Sequence, residues 1–138
     1  MTAPVPVVDG IFTFHDDGSA RLLAGRCRSC DRHAFPRPEA CPYCGQIDVE
    51  EAELGRSGGT LWAWTAITAA PPGYTGPVPY GFGVVQLDEG LRVVTHLTQS
   101  DPGRISFGDR VRCVVAPLHE DEQGHQVVTW AFAPEVPA

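Results

Sequence analysis

The chain has 138 residues and a formal charge of −7, and its only strong cations are ten arginines, with no lysine. Net acidity argues against a nucleic-acid partner, and the missing lysine removes Schiff-base chemistry and the P-loop. The length suits one compact unit or two small modules, with roughly two-thirds of the unfolded surface buried on folding.

The first segment, residues 1–26, holds two short apolar runs around an Asp-Gly turn. Ile11-Phe12-Thr13-Phe14 precedes His15-Asp16-Asp17-Gly18-Ser19, and Arg21-Leu22-Leu23-Ala24 follows. That pattern predicts a β-hairpin. The segment has neither a basic region nor an apolar run fit for a signal peptide. No stretch in the chain approaches the length of a membrane span. The cytoplasm is the expected compartment, and paired cysteines there read as metal ligands rather than disulfides.

Residues 27–56 begin with Cys27-x-x-Cys30 and, ten residues on, Cys41-x-x-Cys44. Each pair forms a tight turn that aims two sulfurs at one point. Four converging thiolates make the closed tetrahedral S4 shell typical of structural zinc, one ion per chain, and leave no open position for catalysis. Iron is the alternative, because Cys41-Pro-Tyr-Cys44-Gly is also a rubredoxin knuckle. The first pair, however, is followed by Asp31 and not glycine. The knuckles are too poor in apolar residues to form a core, so metal supplies on the order of 10 kcal/mol of their folding energy. Arg26, Arg28, Arg32 and Arg37 crowd this segment. They either offset the charge of the metal centre or form a phosphate-binding patch of guanidinium forks. Ile47 to Glu53 has the composition of one more strand, and Leu54 to Gly59 reads as a linker.

Residues 57–138 are strand after strand: Leu61 to Ala69, Tyr80 to Leu87, Leu91 to Thr98, Val111 to Ala116 and Gln126 to Ala133. A Pro-rich loop, Pro71 to Pro79, lies between the first two. Five short strands with no helical periodicity predict a small barrel of OB type. Alternation places Val111, Cys113 and Val115 on one face, with Cys113 as a core thiol. Val128, Trp130 and Phe132 share a second face, and Trp62 and Trp64 a third. The tryptophan pair is either core or a ligand-binding face. No nucleophile elbow, His-Glu-x-x-His, dinucleotide fingerprint or acid/base pair is present, which predicts a non-catalytic protein. The expected fold is therefore mainly β, a rubredoxin-like zinc ribbon followed by a five-stranded OB barrel.

The ordered motifs Cys27-x-x-Cys30, Phe35-Pro36-Arg37-Pro38 and Cys41-Pro42-x-Cys44-Gly45 resemble the acyl-CoA-associated zinc-ribbon/OB-fold family, domain of unknown function 35. Pro72-Gly73-Tyr74 through Pro77-Val78-Pro79-Tyr80, the Leu87-Asp88-Glu89-Gly90 turn, Ile105-x-x-Gly108-Asp109-x-Val111 and Phe132-x-Pro134 extend the resemblance over residues 21–135. Many relatives begin with a helix, whereas residues 1–26 here read as strands. The resemblance implies a non-catalytic companion of a thiolase-fold enzyme, possible in a 2:2 assembly, that helps bind the CoA part of an acyl-CoA. Arg28, Arg32 and Arg37 become candidates for phosphate contact. Trp62, Trp64, Tyr74 and Tyr80 become candidates for the pantetheine channel or the partner surface. Two other functions remain open on the residues alone: a single-stranded nucleic-acid binder and an iron electron carrier.

Overall fold

The computed structural model describes residues 4–135; the first three residues of the N-terminal segment and the last three of the barrel segment lie outside the described residues. Strand β1 (Val5–Pro6) leads to β2 (Phe12–Phe14), which pairs antiparallel with β3 (Ala20–Cys27). The turn between β2 and β3 is the Asp-Gly turn expected from sequence. Gly18 has φ 88°, and Asp17 accepts hydrogen bonds from both the amide and the hydroxyl of Ser19. Two-residue β4 (His33–Ala34) and β5 (Val49–Leu54) flank β3 and complete a four-stranded sheet.

The remaining five strands form a closed barrel: β6 (Gly59–Ile67), β7 (Tyr80–Leu87), β8 (Arg92–Leu97), β9 (Arg110–Glu120) and β10 (Gln126–Pro134). β6, β7 and β8 form a meander. β10 then pairs parallel with β8 and antiparallel with β9, and β9 closes onto β6 through Gly59↔Val111. This is the five-stranded Greek-key barrel of the OB fold. β1 adds to the outside of β10 in parallel.

Two strands depart from the sequence expectation. β9 runs to Glu120 instead of stopping at Ala116, because Pro117 sits beside a bulge where the register with Val127 and Val128 shifts. A bulge excuses the missing amide that would otherwise break the ladder. β6 also carries a bulge, between Leu61 and Ala63. It breaks the alternation, so Trp62 and Trp64 do not share a face: Trp62 is 55% exposed, while Trp64 packs against the core.

One core serves both sheets. Leu22, Ala24 and Leu54 of the ribbon sheet lie in the same buried cluster as Leu61, Val85, Val111, Cys113 and Phe132 of the barrel. Trp130 of β10 packs edge-on to Phe35 of the ribbon with ring centres 5.5 Å apart, and Phe12 lies 5.9 Å away. The Val115 amide bonds the carbonyl of Gly18, which ties the first hairpin to β9. Val111 and Cys113 are inward as expected, with Val115 packed at the edge of the core.

Candidate metal centre and its surroundings

The two cysteine pairs occupy equivalent knuckles. In the first, the Asp31 amide donates to the Cys27 carbonyl and the Cys27 amide to the Arg32 carbonyl. In the second, the Gly45 amide donates to Cys41 and the Cys41 amide to Gln46 in the same pattern. Both turns need a left-handed residue at the same point, and Asp31 (φ 65°) stands where Gly45 (φ 79°) stands in the other knuckle. An aspartate tolerates this region better than most side chains. Arg26 holds it there with a hydrogen bond of 2.5 Å and reaches Glu50 at 2.7 Å with its other arm.

The four sulfurs all lie within 4.8 Å of one another. Cys27 and Cys44 are 3.6 Å apart, and Cys30 and Cys41 are 3.5 Å apart. A tetrahedron with sulfur about 2.3 Å from zinc has edges of about 3.8 Å, so the cage is close to the size the ion requires. Charge points the same way. Burial acts to raise the Cys41 thiol, but the Cys44 and Tyr43 amides outweigh it and pull the thiol down to about 6. Cys44 is lowered by the Gln46 amide, yet burial and the adjacent sulfurs push it up to about 11. Sulfurs packed this closely repel one another as thiolates, and a cation among them relieves that repulsion.

The arginines have separate surroundings. Arg28 faces Asp48 at 3.4 Å and Glu50 at 3.2 Å. Arg37 donates to the Val49 carbonyl and borders a groove of about 460 Å³ with Pro38, Glu39 and Ile47. Arg32 stacks on the Tyr43 ring at 5.1 Å, in a cleft of about 370 Å³ between the knuckles and the β7–β8 turn at Glu89 to Leu91. Much of this positive charge is thus spent inside the ribbon, on Asp31, Asp48 and Glu50.

Tyr74 and Tyr80 do come together, with ring centres 4.7 Å apart. His96 joins them at 5.0 Å from Tyr80 and 6.0 Å from Tyr74. Sequence reading gave His96 no role. The signal was its place opposite Phe82 in the β7–β8 register, visible only once the pairing is known. The three rings, with Pro77, Leu97, Pro117 and Leu118, wall a cavity of about 240 Å³ whose polar groups include Thr98, Ser100 and Thr129. Burial lowers the His96 pKa, which favours the neutral ring. Tyr74 is raised by burial and then by Tyr80.

Comparison with known proteins decides the family. The ChsH2 rubredoxin-like zinc-ribbon domain matches residues 19–49, and the ChsH2 C-terminal OB-fold domain matches residues 51–116. The chain belongs to the ChsH2 (DUF35) family. A DUF35 domain-containing scaffold protein of Pyrococcus furiosus is 33% identical over 83% of this chain and 83% of its own length. The benzoylsuccinyl-CoA thiolase subunit BbsA of Thauera aromatica is 30% identical over 84% of this chain and 78% of its own. Among solved structures, a chain of the Ltp2-ChsH2(DUF35) aldolase superposes with a TM-score of 0.63 at 29% identity, covering 84% of this chain and 86% of that one. ChsH2-family membership identifies the four-cysteine cage as a rubredoxin-like zinc ribbon able to hold one metal ion.

Proposed function

We propose that this ChsH2-family chain is a non-catalytic companion subunit of a thiolase-fold, acyl-CoA-processing enzyme, with Cys27, Cys30, Cys41 and Cys44 holding one structural zinc. The observation that carries this reading is the similarity, over most of both chains, to a scaffold protein, a thiolase subunit and a chain of an aldolase complex. The cage agrees with it. Four sulfurs fill the tetrahedron, so a metal there supplies rigidity and not an open vertex for chemistry.

For the CoA moiety, the cavity walled by Tyr74, Tyr80 and His96 has the character a pantetheine arm needs: apolar walls with a few hydroxyls for its amides. Arg32, stacked on Tyr43 and forming no salt bridge among the described residues, is the better placed of the candidate arginines for a phosphate, although Asp31 and Glu89 line the same cleft. Arg28 would first have to leave Asp48 and Glu50. The test is to co-express a tagged copy with each thiolase-fold chain of its source genome, and to assay the purified enzyme with and without it. The expected result is a stable complex, a 2:2 assembly for a dimeric enzyme, and activity that depends on this chain. Calorimetry with CoA then compares the complex with its Arg32→Ala and Tyr80→Ala forms. A chain that joins none of these enzymes and alters none of their activities overturns the reading.

A further inference from the structure

The outward face of β6, β7 and β8 joins exposed apolar side chains to an absence of acidic ones. These three strands contain no aspartate or glutamate at any position, in a chain with 17 acidic residues and a charge of −7. Trp62 and Val94 are 55% and 59% exposed. The β6 bulge is what turns Trp62 outward, and Ala63, Val84 and Val94 lie in one row across the three strands. Arg92, one row along, stacks its guanidinium on Trp62 at 4.3 Å and donates to Gln86. Phe107, 69% exposed, stands on the adjoining loop, where the Gly108 amide bonds the Leu61 carbonyl just before Trp62.

An exposed tryptophan against an arginine, ringed by aliphatic side chains, has the composition of an interface centre and not of a solvated sheet. Charge decides what covers it. A second copy docking about a two-fold axis on this face would set the Arg92 side chains of both copies against it with no free carboxylate to meet either, because Asp88, at the edge of the Thr60–Gln86–Arg92 row, is already held by Arg110. A nucleic-acid strand would find one cation here that no carboxylate holds, since Arg110 at the end of the same row is bound to Asp88, and the chain is strongly acidic. We infer that the Trp62–Val84–Val94 face is where the enzyme subunit docks, and that its counterpart is an apolar patch carrying a carboxylate for Arg92. This inference rests on the companion-subunit reading above and adds the surface through which it operates.

The experiment uses the thiolase-fold subunit that forms a complex with the unaltered chain. Trp62→Glu and Val94→Glu are each expected to weaken that complex by about a hundredfold or more, the effect of losing an interface centre. Arg92→Glu is expected to weaken it as well, and the milder Trp62→Ala to do so in part. Zinc content and melting temperature should stay unchanged in all four variants, since these side chains lie outside the core. Ile47→Glu, at a position 84% exposed on the ribbon, should bind like the unaltered chain. If the unaltered chain binds and the Trp62 and Val94 variants bind as tightly, the docking face is wrong while the companion role stands. If the unaltered chain binds no such enzyme, both fall. A self-dimer abolished by Trp62→Glu, or oligothymidine binding lost in the same variant, would assign the face to a different occupant and overturn the inference.

Discussion

At the residue scale, Asp31 shows how closely the ribbon's backbone is specified. Its left-handed φ is the only one at a non-glycine position among the described residues. Valine, branched at Cβ, fits that region poorly. Asp31→Val should therefore lower zinc affinity sharply, whereas Asp31→Gly should keep it; a chelator competition titration separates the two. Cys113 makes a second case. Burial pushes its thiol up to about 12, so at pH 8 it is protonated and enclosed, and it should resist iodoacetamide until the protein unfolds. Mass spectrometry of the alkylated native and denatured chains checks this. His96, packed against Tyr74 and Tyr80, gives a pH signature. Its folded pKa lies below the ordinary 6.5, so below about pH 6.5 the unfolded chain binds a proton that the folded chain refuses. Stability should fall as pH drops from 7 toward 5, and His96→Phe should flatten that slope in thermal melts. The shifted carboxylates Asp17, Glu50, Asp88 and Asp121 lie below their ordinary values of 3.8 and 4.5 and act only at lower pH.

At the scale of elements, the parts legible in the sequence were those with local causes. Cysteine spacing alone defines the two knuckles, and the Asp88-Glu89-Gly90 turn, with Gly90 at φ 101°, separates β7 from β8. What escaped were features that need a partner strand. The β6 bulge exists only against Val84 and Val85, so alternation put Trp62 and Trp64 on one face when they lie on opposite ones. Pro117 looks like a strand end until its bulge against β10 is seen. The pairing of Arg26 and Arg28 with Asp48 and Glu50 was not legible either, because these carboxylates approach only when β5 folds back on β3. Close strand approach also sets a limit on substitution. A Cβ at Gly83 would lie 2.3 Å from the Ala63 carbonyl oxygen, a backbone atom that cannot swing aside. Gly83→Ala should cost about 1–3 kcal/mol, measurable as a lower urea midpoint.

For the whole molecule, the shared core matters more than the division into ribbon and barrel. Phe132 is fully buried in the cluster that also contains Leu22 and Leu54. Phe132→Ala should cost about 3–5 kcal/mol, a large part of the roughly 5–15 kcal/mol that holds such a domain folded. Its effect should reach the metal: the same variant should give up zinc to a weaker chelator. Conversely, zinc removal should lower the melting temperature of the barrel itself and leave a single transition, as calorimetry with and without chelator would show. Two separate transitions, with the barrel's unmoved, would mean that the cores are independent.

The closure of β9 onto β6 has a consequence for the order of assembly. Gly59↔Val111 joins the first and fourth barrel strands across everything between them, and pairings so distant in sequence carry a large loop-closure entropy and form late. The β3–β5 pairing spans a shorter loop, and that loop is the one whose cysteines the metal would pin together. A newly made chain is therefore expected to meet its metal before its barrel is complete. Zinc would then act as a template in time as well as in space, presenting the Leu22 and Leu54 side of the ribbon for the later strands to close upon. Until they do, the edges of β6 and β9 are open to pairing with other chains.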